Sequence, residues 1–364
     1  MMLRKALKPM IFMMLAIFST TSVLASGHDS KKDEPYNPVP VIMEHIMDSH
    51  SWHLWTTTDE EGHEHHVSVP LPVILIDGGL KVFMSSKFEH DHHNPHLYKA
   101  EIDGETYYIE KIDEEGNVLA ENIYRLEGGE KVYPLDFSIT KNVFALIVGA
   151  LLIFWIATTM AKHYKKNGAV APKGLASFLE PIVVLVRDDI AKTNIDKHKY
   201  QKFVPFLLTI FFFIWLNNLL GLVPFIPGGA NLTGNIAVTF VLAIIVLIMI
   251  LINGNKHYWE HILWMPGVPA AVKIILTPIE IIGIFTKPFA LMVRLFANIT
   301  AGHIVVLSLI SLIFVFENIG MAGVSVPFAL FISVLELLVA FLQAYVFTML
   351  SALFIGAAVE EAHH

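Results

Sequence analysis

The chain has 364 residues, 54% of them hydrophobic, and carries 25 Lys and Arg against 33 Asp and Glu, a net charge of −8. That balance gives no reason to expect nucleic acid as a partner, and the absence of cysteine excludes disulfides, thiolate metal sites and iron–sulfur clusters. Such apolarity is too high for an ordinary soluble domain, and with this length it predicts a small exported domain joined to a multi-span membrane domain.

Residues 1–25 read as a signal peptide. Arg4, Lys5 and Lys8 form its basic region, Met10–Phe18 its apolar core and Val23-Leu24-Ala25 a small-residue cleavage site. Residues 26–136 are polar and interrupted by turn signals. Val69–Ile76 and Leu80–Ser85 flank Asp77-Gly78-Gly79 as a hairpin, and Tyr98–Ile102, Thr106–Ile112 and Val118–Tyr124 follow as short strands. This predicts a small β-rich exported domain. Of the 18 histidines, 11 fall between His28 and His96. The clusters His63, His65, His66 and His90, His92, His93, His96 read as a polar surface in preference to a metal site, so neither metal nor cofactor is expected.

The membrane domain, 137–364, is expected to be all-α. Five apolar stretches predict crossings at about 140–161, 203–225, 235–253, 274–316 and 327–359. The last two exceed the ~20 residues that span hydrocarbon and must tilt or kink, with Pro278 and Pro288 as kink points in the fourth. The loop 162–202 holds nine Lys and Arg, whereas 225–235 and 317–326 hold none. The positive-inside rule therefore agrees with the signal: an exported (periplasmic) N-terminal domain and a cytoplasmic C-terminus. Within the first inside loop, Leu175–Ile190 has near-helical apolar spacing and predicts a helix at the membrane surface.

The chemistry lies in the polar residues inside these stretches. Arg294 interrupts the fourth run, and an arginine there costs about 2.5–3.5 kcal/mol on insertion scales, so something must meet its charge. Asn298 is four residues on and Glu280 fourteen before, within ~40° of the same azimuth in a regular helix. Glu280 is then about 21 Å away toward the cytoplasm, and His303 about 13 Å outward on the opposite face. The fifth run carries Glu336 and Gln343 seven apart on one face. With a reversal near Glu317–Val326, Glu336 is placed beside His303 for proton relay, and Asn217 and Asn218 of the second run line the same passage. Each has a structural alternative. The amides serve equally as hydrogen-bond glue between helices, His303 as a satisfied core histidine, and Arg294 as the partner of Glu336. Taken together, the set forms two half-passages divided by a fixed cation.

Pro288-Phe-Ala-Leu-Met-Val-Arg-Leu-Phe-Ala-Asn298, Ala301-Gly302-His303 and Leu342-Gln343-Ala344-Tyr345-Val346-Phe347 resemble subunit a of the F-type ATP synthase, as does Asn217-Asn218-Leu-Leu-Gly-Leu-Val-Pro224. The resemblance covers about 136–361. It implies five crossings with two long tilted helices against a rotating c ring, in the long bacterial form with a signal peptide. It also implies subunit b and the remaining synthase subunits as partners in a bacterial inner membrane, and H+ as the transported ion. Arg294 matches the essential arginine and Glu280 an acid of the cytoplasmic half-channel. Asn218, Asn298, His303, Glu336 and Gln343 match polar positions of the exported-side half-channel. Gly221 falls where some members carry an acid. The chain itself is then non-catalytic, and it shows no phosphate-binding glycine loop. The rival class is a zinc transporter fed by the His-rich domain, which calls for ligating His or Asp pairs one turn apart in the membrane; only His303 lies in a span.

Overall fold

The computed structural model describes residues 36–58, 64–91, 94–111, 120–168, 170, 174–223, 229–265 and 269–361. The expected signal at 1–25 and the side chains of both His clusters lie outside the described residues. The chain forms two compact units, one from Met1–Leu146, Leu220–Asn231 and His303–Ile332, the other from Ile147–Leu219, Leu232–Gly302 and Ser333–His364.

The first unit begins with α1, Val39–Ile46, which has Pro in its first turn, where a missing N–H costs nothing. Ten strands follow: β1 Ser51–Thr58, β2 Glu64–Pro70, β3 Pro72–Ile76, β4 Leu80–Met84, β5 Glu89–Asp91, β6 Asn94–Ile102, β7 Glu105–Glu110, β8 Ile123–Glu127, β9 Glu130–Val132 and β10 Leu135–Asp136. They make a β1–β2 ribbon, a three-stranded sheet β10–β3–β4 and a five-stranded antiparallel sheet β5–β6–β7–β8–β9. The β-rich reading of this region holds, with differences in detail. The expected strand 69–76 is broken at Leu71, whose N–H goes to Ser85 Oγ (3.0 Å) instead of a ladder partner. The expected strand 118–124 starts at Ile123 among the described residues. Asp103 and Gly104, at φ 53° and 84°, close the β6–β7 hairpin with the left-handed pair that matches strand twist. Val73, Leu75, Phe83, Ala100, Tyr107 and Ile109 form the core of this region.

Three segments of this unit meet at a buried histidine. His50 Nδ1 lies 3.3 Å from Glu121 Oε2 and Nε2 lies 3.2 Å from Asp136 Oδ2, while the His50 backbone N–H donates to Glu121 (2.7 Å). Lys111 Nζ reaches the other Glu121 oxygen at 3.2 Å. Two residues before His50, Asp48 accepts from the Asn142 N–H (3.0 Å) and from Thr140 Oγ1 (2.8 Å). It thereby caps the first membrane helix from a distant part of the chain.

That helix is α2, Lys141–Asn167, six residues longer than the expected end at 161. Lys165 and Lys166 lie in its last turn, where the helix dipole favours cations. Next come α3 Leu175–Val184, α4 Tyr200–Gly221, α5 Ile236–Asn253, α6 Lys256–Leu263, α7 Ala270–Val315 and α8 Ala322–Val359. Among the described residues five helices are long and apolar enough to cross a membrane, α2, α4, α5, α7 and α8, and the protein is a multi-pass membrane protein. α7 and α8 contain 46 and 38 residues. At 1.5 Å per residue they reach about 69 and 57 Å, roughly twice the hydrocarbon thickness, so they run strongly tilted. α7 is continuous through both prolines.

Beyond α3 the chain continues as a π-helical turn, Leu185–Ala191, and on to Asn194. Its apolar face, including Leu179, Val186 and Ile190, is buried in the core of the second unit with Phe203, Leu207 and Ile355. The expected surface helix is therefore seated on protein along that face. Gly356 makes this possible: a Cβ there would overlap the Asn194 carbonyl. Close approach also governs α2 against α4, where a Cβ on Gly149 would collide with the Asn217 amide.

Candidate functional site

On α7 the exposed stripe runs through Ala290, Arg294, Ala297, Asn298 and Ala301, while Leu291, Leu295 and Ile299 are buried in the core. Arg294 is exposed, and no ion pair with a described residue involves it. Alanines on either side leave the guanidinium accessible to a helix packed from outside. The reading of Arg294 as a structural partner of Glu336 has no support in this geometry. Asn298, one turn on, shares the exposed stripe.

Toward the other end of α7, Glu280 is half-buried. It lies near Tyr258 of α6: burial first and then the Glu280 charge hold the phenol above its ordinary range. α6 is fixed there by Asn255, whose side chain accepts from the Tyr258 N–H (2.8 Å) and whose N–H donates to the Ala358 carbonyl at the end of α8 (2.9 Å). Thr277 Oγ1 donates to the Leu263 carbonyl at 3.2 Å, tying α7 to α6. Tyr258 is thus a polar neighbour of Glu280 that the sequence reading missed; its helix is too short for a periodicity signal.

Glu336 on α8 is 6% exposed. Its carboxyl group presses on the backbone of α7 at Gly302, where a Cβ would lie 2.7 Å from Oε1. His303 is the next residue of α7. Within the first unit, His303 approaches the end of α4: a Cβ on Gly221 would stand 3.9 Å from His303 Nε2 and 3.2 Å from the Ala230 carbonyl. Any larger side chain at Gly221 would enter the space in front of the imidazole. Gln343, one helical heptad past Glu336, is 5% exposed.

Asn218 is 3% exposed. Its Oδ1 accepts from Thr233 Oγ1 and its Nδ2 lies 3.4 Å from the Ala340 carbonyl of α8. Thr233, at 1% exposure, was not singled out in the sequence because it lies in a loop of turn-forming residues. Asn217 faces the opposite way, toward Gly149, and its Nδ2 donates to Phe213 O at 2.7 Å. Its contacts are those of helix packing. Among the described residues no group of three His, Asp or Glu is placed to hold a metal ion.

Comparison with known proteins gives two family matches. The ATP synthase A chain family matches residues 143–356, and a domain of unknown function, DUF8433, matches residues 41–137. The chain is 50% identical over 240 residues to "ATP synthase subunit a" of Chloroherpeton thalassium, covering 64% of this chain and 70% of that protein. It is 50% identical over 235 residues to "ATP synthase subunit a 2" of Chlorobaculum tepidum, covering 63% and 65%. With "ATP synthase subunit a" of Myxococcus xanthus the identity is 46% over 236 residues, covering 63% and 76%.

Proposed function

We propose, from the premise that this chain belongs to the ATP synthase A chain family and is the proton-channel stator subunit of an F-type ATP synthase, that Arg294 divides two offset proton passages beside a rotating c ring. The observation that carries this reading is Arg294 itself. It is a permanent charge on the exposed stripe of a membrane helix, flanked by small residues and without an ion-pair partner among the described residues. Its partner is then a carboxylate carried past it by another protein.

Protons enter from the exported side along Asn218, Gln343, Glu336 and His303 and reach the ring near Asn298. Glu336 against Gly302, and Asn218 held by Thr233, support a fixed polar line there. The loaded carboxyl on the ring is neutral and can face lipid; its unloaded form cannot leave the arginine without a large desolvation cost. After a near-full turn the proton leaves through the passage containing Glu280, with Tyr258 beside it. At 100 mV each charge moved supplies about 2.3 kcal/mol, so several must be summed for one ATP. The reaction at ATP takes place on other subunits, and subunit b is among the stator partners. The N-terminal domain is periplasmic, the C-terminus is cytoplasmic, and the membrane is the bacterial inner membrane. Nothing in the geometry or the comparisons favours the metal-transport alternative.

The test is Arg294→Ala in the assembled synthase reconstituted in liposomes. The variant inserts normally and loses proton-driven ATP synthesis; synthesis near the wild-type rate would overturn the assignment.

A further inference from the structure

The outward face of the sheet β10–β3–β4 has a composition that water does not account for. Side chains alternate between the faces of a strand. On one face Val73, Leu75 and Phe83 fill the core at 0%, 0% and 6% exposure. The opposite face carries Ile76 on β3 and Leu80, Val82 and Met84 on β4, at 45%, 70%, 61% and 41% exposure. It continues through Leu135 of β10 and Phe137, at 65% and 61%. Their alignment is fixed by the ladder: Ile76 pairs with Leu80 and with Leu135, and the Phe137 N–H donates to the Ile74 carbonyl at 2.8 Å. An antiparallel sheet with one face in water reads polar on that face. Here six neighbouring positions are large and apolar, and none is charged. A contiguous apolar patch of this kind marks a surface that meets something other than water.

What it meets follows from where the strand leads. β10 passes through Phe137 and Ile139 directly into α2, the first crossing, whose helix starts at Lys141. Four residues span at most about 14 Å, so Phe137 cannot rise far above the headgroup layer, which is roughly 5–8 Å thick on each side. Phe137, 61% exposed, supplies an aromatic side chain at that level, as an interfacial belt does. The central strand β3 has ladder partners on both sides, so its backbone meets hydrocarbon without unpaired polar groups. We propose that the outward face of β10–β3–β4 is a membrane-resting surface, through which the exported domain lies on the lipid of the exported leaflet. The domain then needs no protein partner to be held at the membrane. Its position is set by a covalent tether at Lys141 and an apolar footing beside it.

The chain has no cysteine, so no other thiol of this subunit takes the label. Leu80→Cys and Val82→Cys, with Glu101→Cys as a control on the other sheet, are spin-labelled in the assembled synthase in liposomes. Relaxation by oxygen, which concentrates in lipid, is compared with relaxation by a water-soluble nickel chelate. Positions 80 and 82 are expected to favour oxygen several-fold and position 101 to favour nickel. Nickel-dominated relaxation at 80 and 82 would show a face in water, and exclusion of both reagents would show a protein covering it. Either result overturns the proposal.

Discussion

Gly302 shows how a single hydrogen atom in place of a methyl group shapes the candidate passage. A Cβ at this position would lie 2.7 Å from Glu336 Oε1, closer than real Cβ atoms come, and 3.0 Å from its carboxyl carbon. Glu336 is 6% exposed and packed, so the carboxyl must swing away from His303's neighbour if the methyl is added. Gly302→Ala therefore lowers proton flux through the reconstituted synthase by up to about a hundredfold, the cost of misplacing a relay group by about 1 Å. Gly323→Ala, at the start of α8 with nothing within 4 Å, leaves flux unchanged. Equal rates for the two variants would show that the Glu336–Gly302 contact has no part in proton transfer. The sequence motif Ala301-Gly302-His303 marked this site, but not why a glycine sits there; the reason is a carboxylate contributed by a helix more than thirty residues later.

At the scale of elements, His50 pins the lead-in of β1, the segment before β8 and the strand entering α2. Each ring nitrogen faces a carboxylate oxygen, so both must carry hydrogen and the ring is held as imidazolium. Burial pulls its pKa down, but hydrogen bonds to Asp136 and Glu121 and their charges outweigh this and hold it at about 9. Burial pushes Glu121 up, and His50 and Lys111 outweigh that and bring it to about 2. The raised histidine contributes stability that is complete below about 6.5, its ordinary pKa, and is lost as pH rises through about 9. The depressed Glu121 contributes above its ordinary 4.5 and fails as pH falls toward 2. Thermal stability of the β-rich domain in the intact chain should accordingly fall between pH 6.5 and 9, and His50→Gln should flatten that slope. An unchanged slope in the variant would contradict the assignment.

Legibility differed by element for physical reasons. Long apolar runs announced the five membrane helices among the described residues, because a membrane helix must be apolar on every side. Their ends were misjudged where polar residues continue the helix into water, as at Lys162–Asn167. Turn glycines announced the β3–β4 and β6–β7 hairpins. α1 and α6, with eight residues each, left no periodicity to read. Thr233 and Tyr258 were missed because they reach the site through the tertiary fold and carry no pattern of their own. The break at Leu71 arises from a hydrogen bond to Ser85, fourteen residues away.

At the scale of the whole molecule, the polar residues of the membrane helices are few, buried or exposed in specific ways, and distributed along helices much longer than a membrane is thick. Glu280 and His303 lie 23 positions apart on the continuous helix α7, about 35 Å along its axis. That length is sufficient for one to open toward each side of the bilayer, with Arg294 between them. If the passages were a single pore, protons would cross without turning the ring and no work would be recovered. The most direct measurement uses Glu280→Cys and His303→Cys, separately, in the otherwise cysteine-free chain of the assembled synthase in oriented, sealed vesicles. A membrane-impermeant thiol reagent is applied to one side at a time. Position 280 is expected to be modified only from the cytoplasmic side and position 303 only from the exported side. Modification of both positions from the same side would contradict the division into two passages.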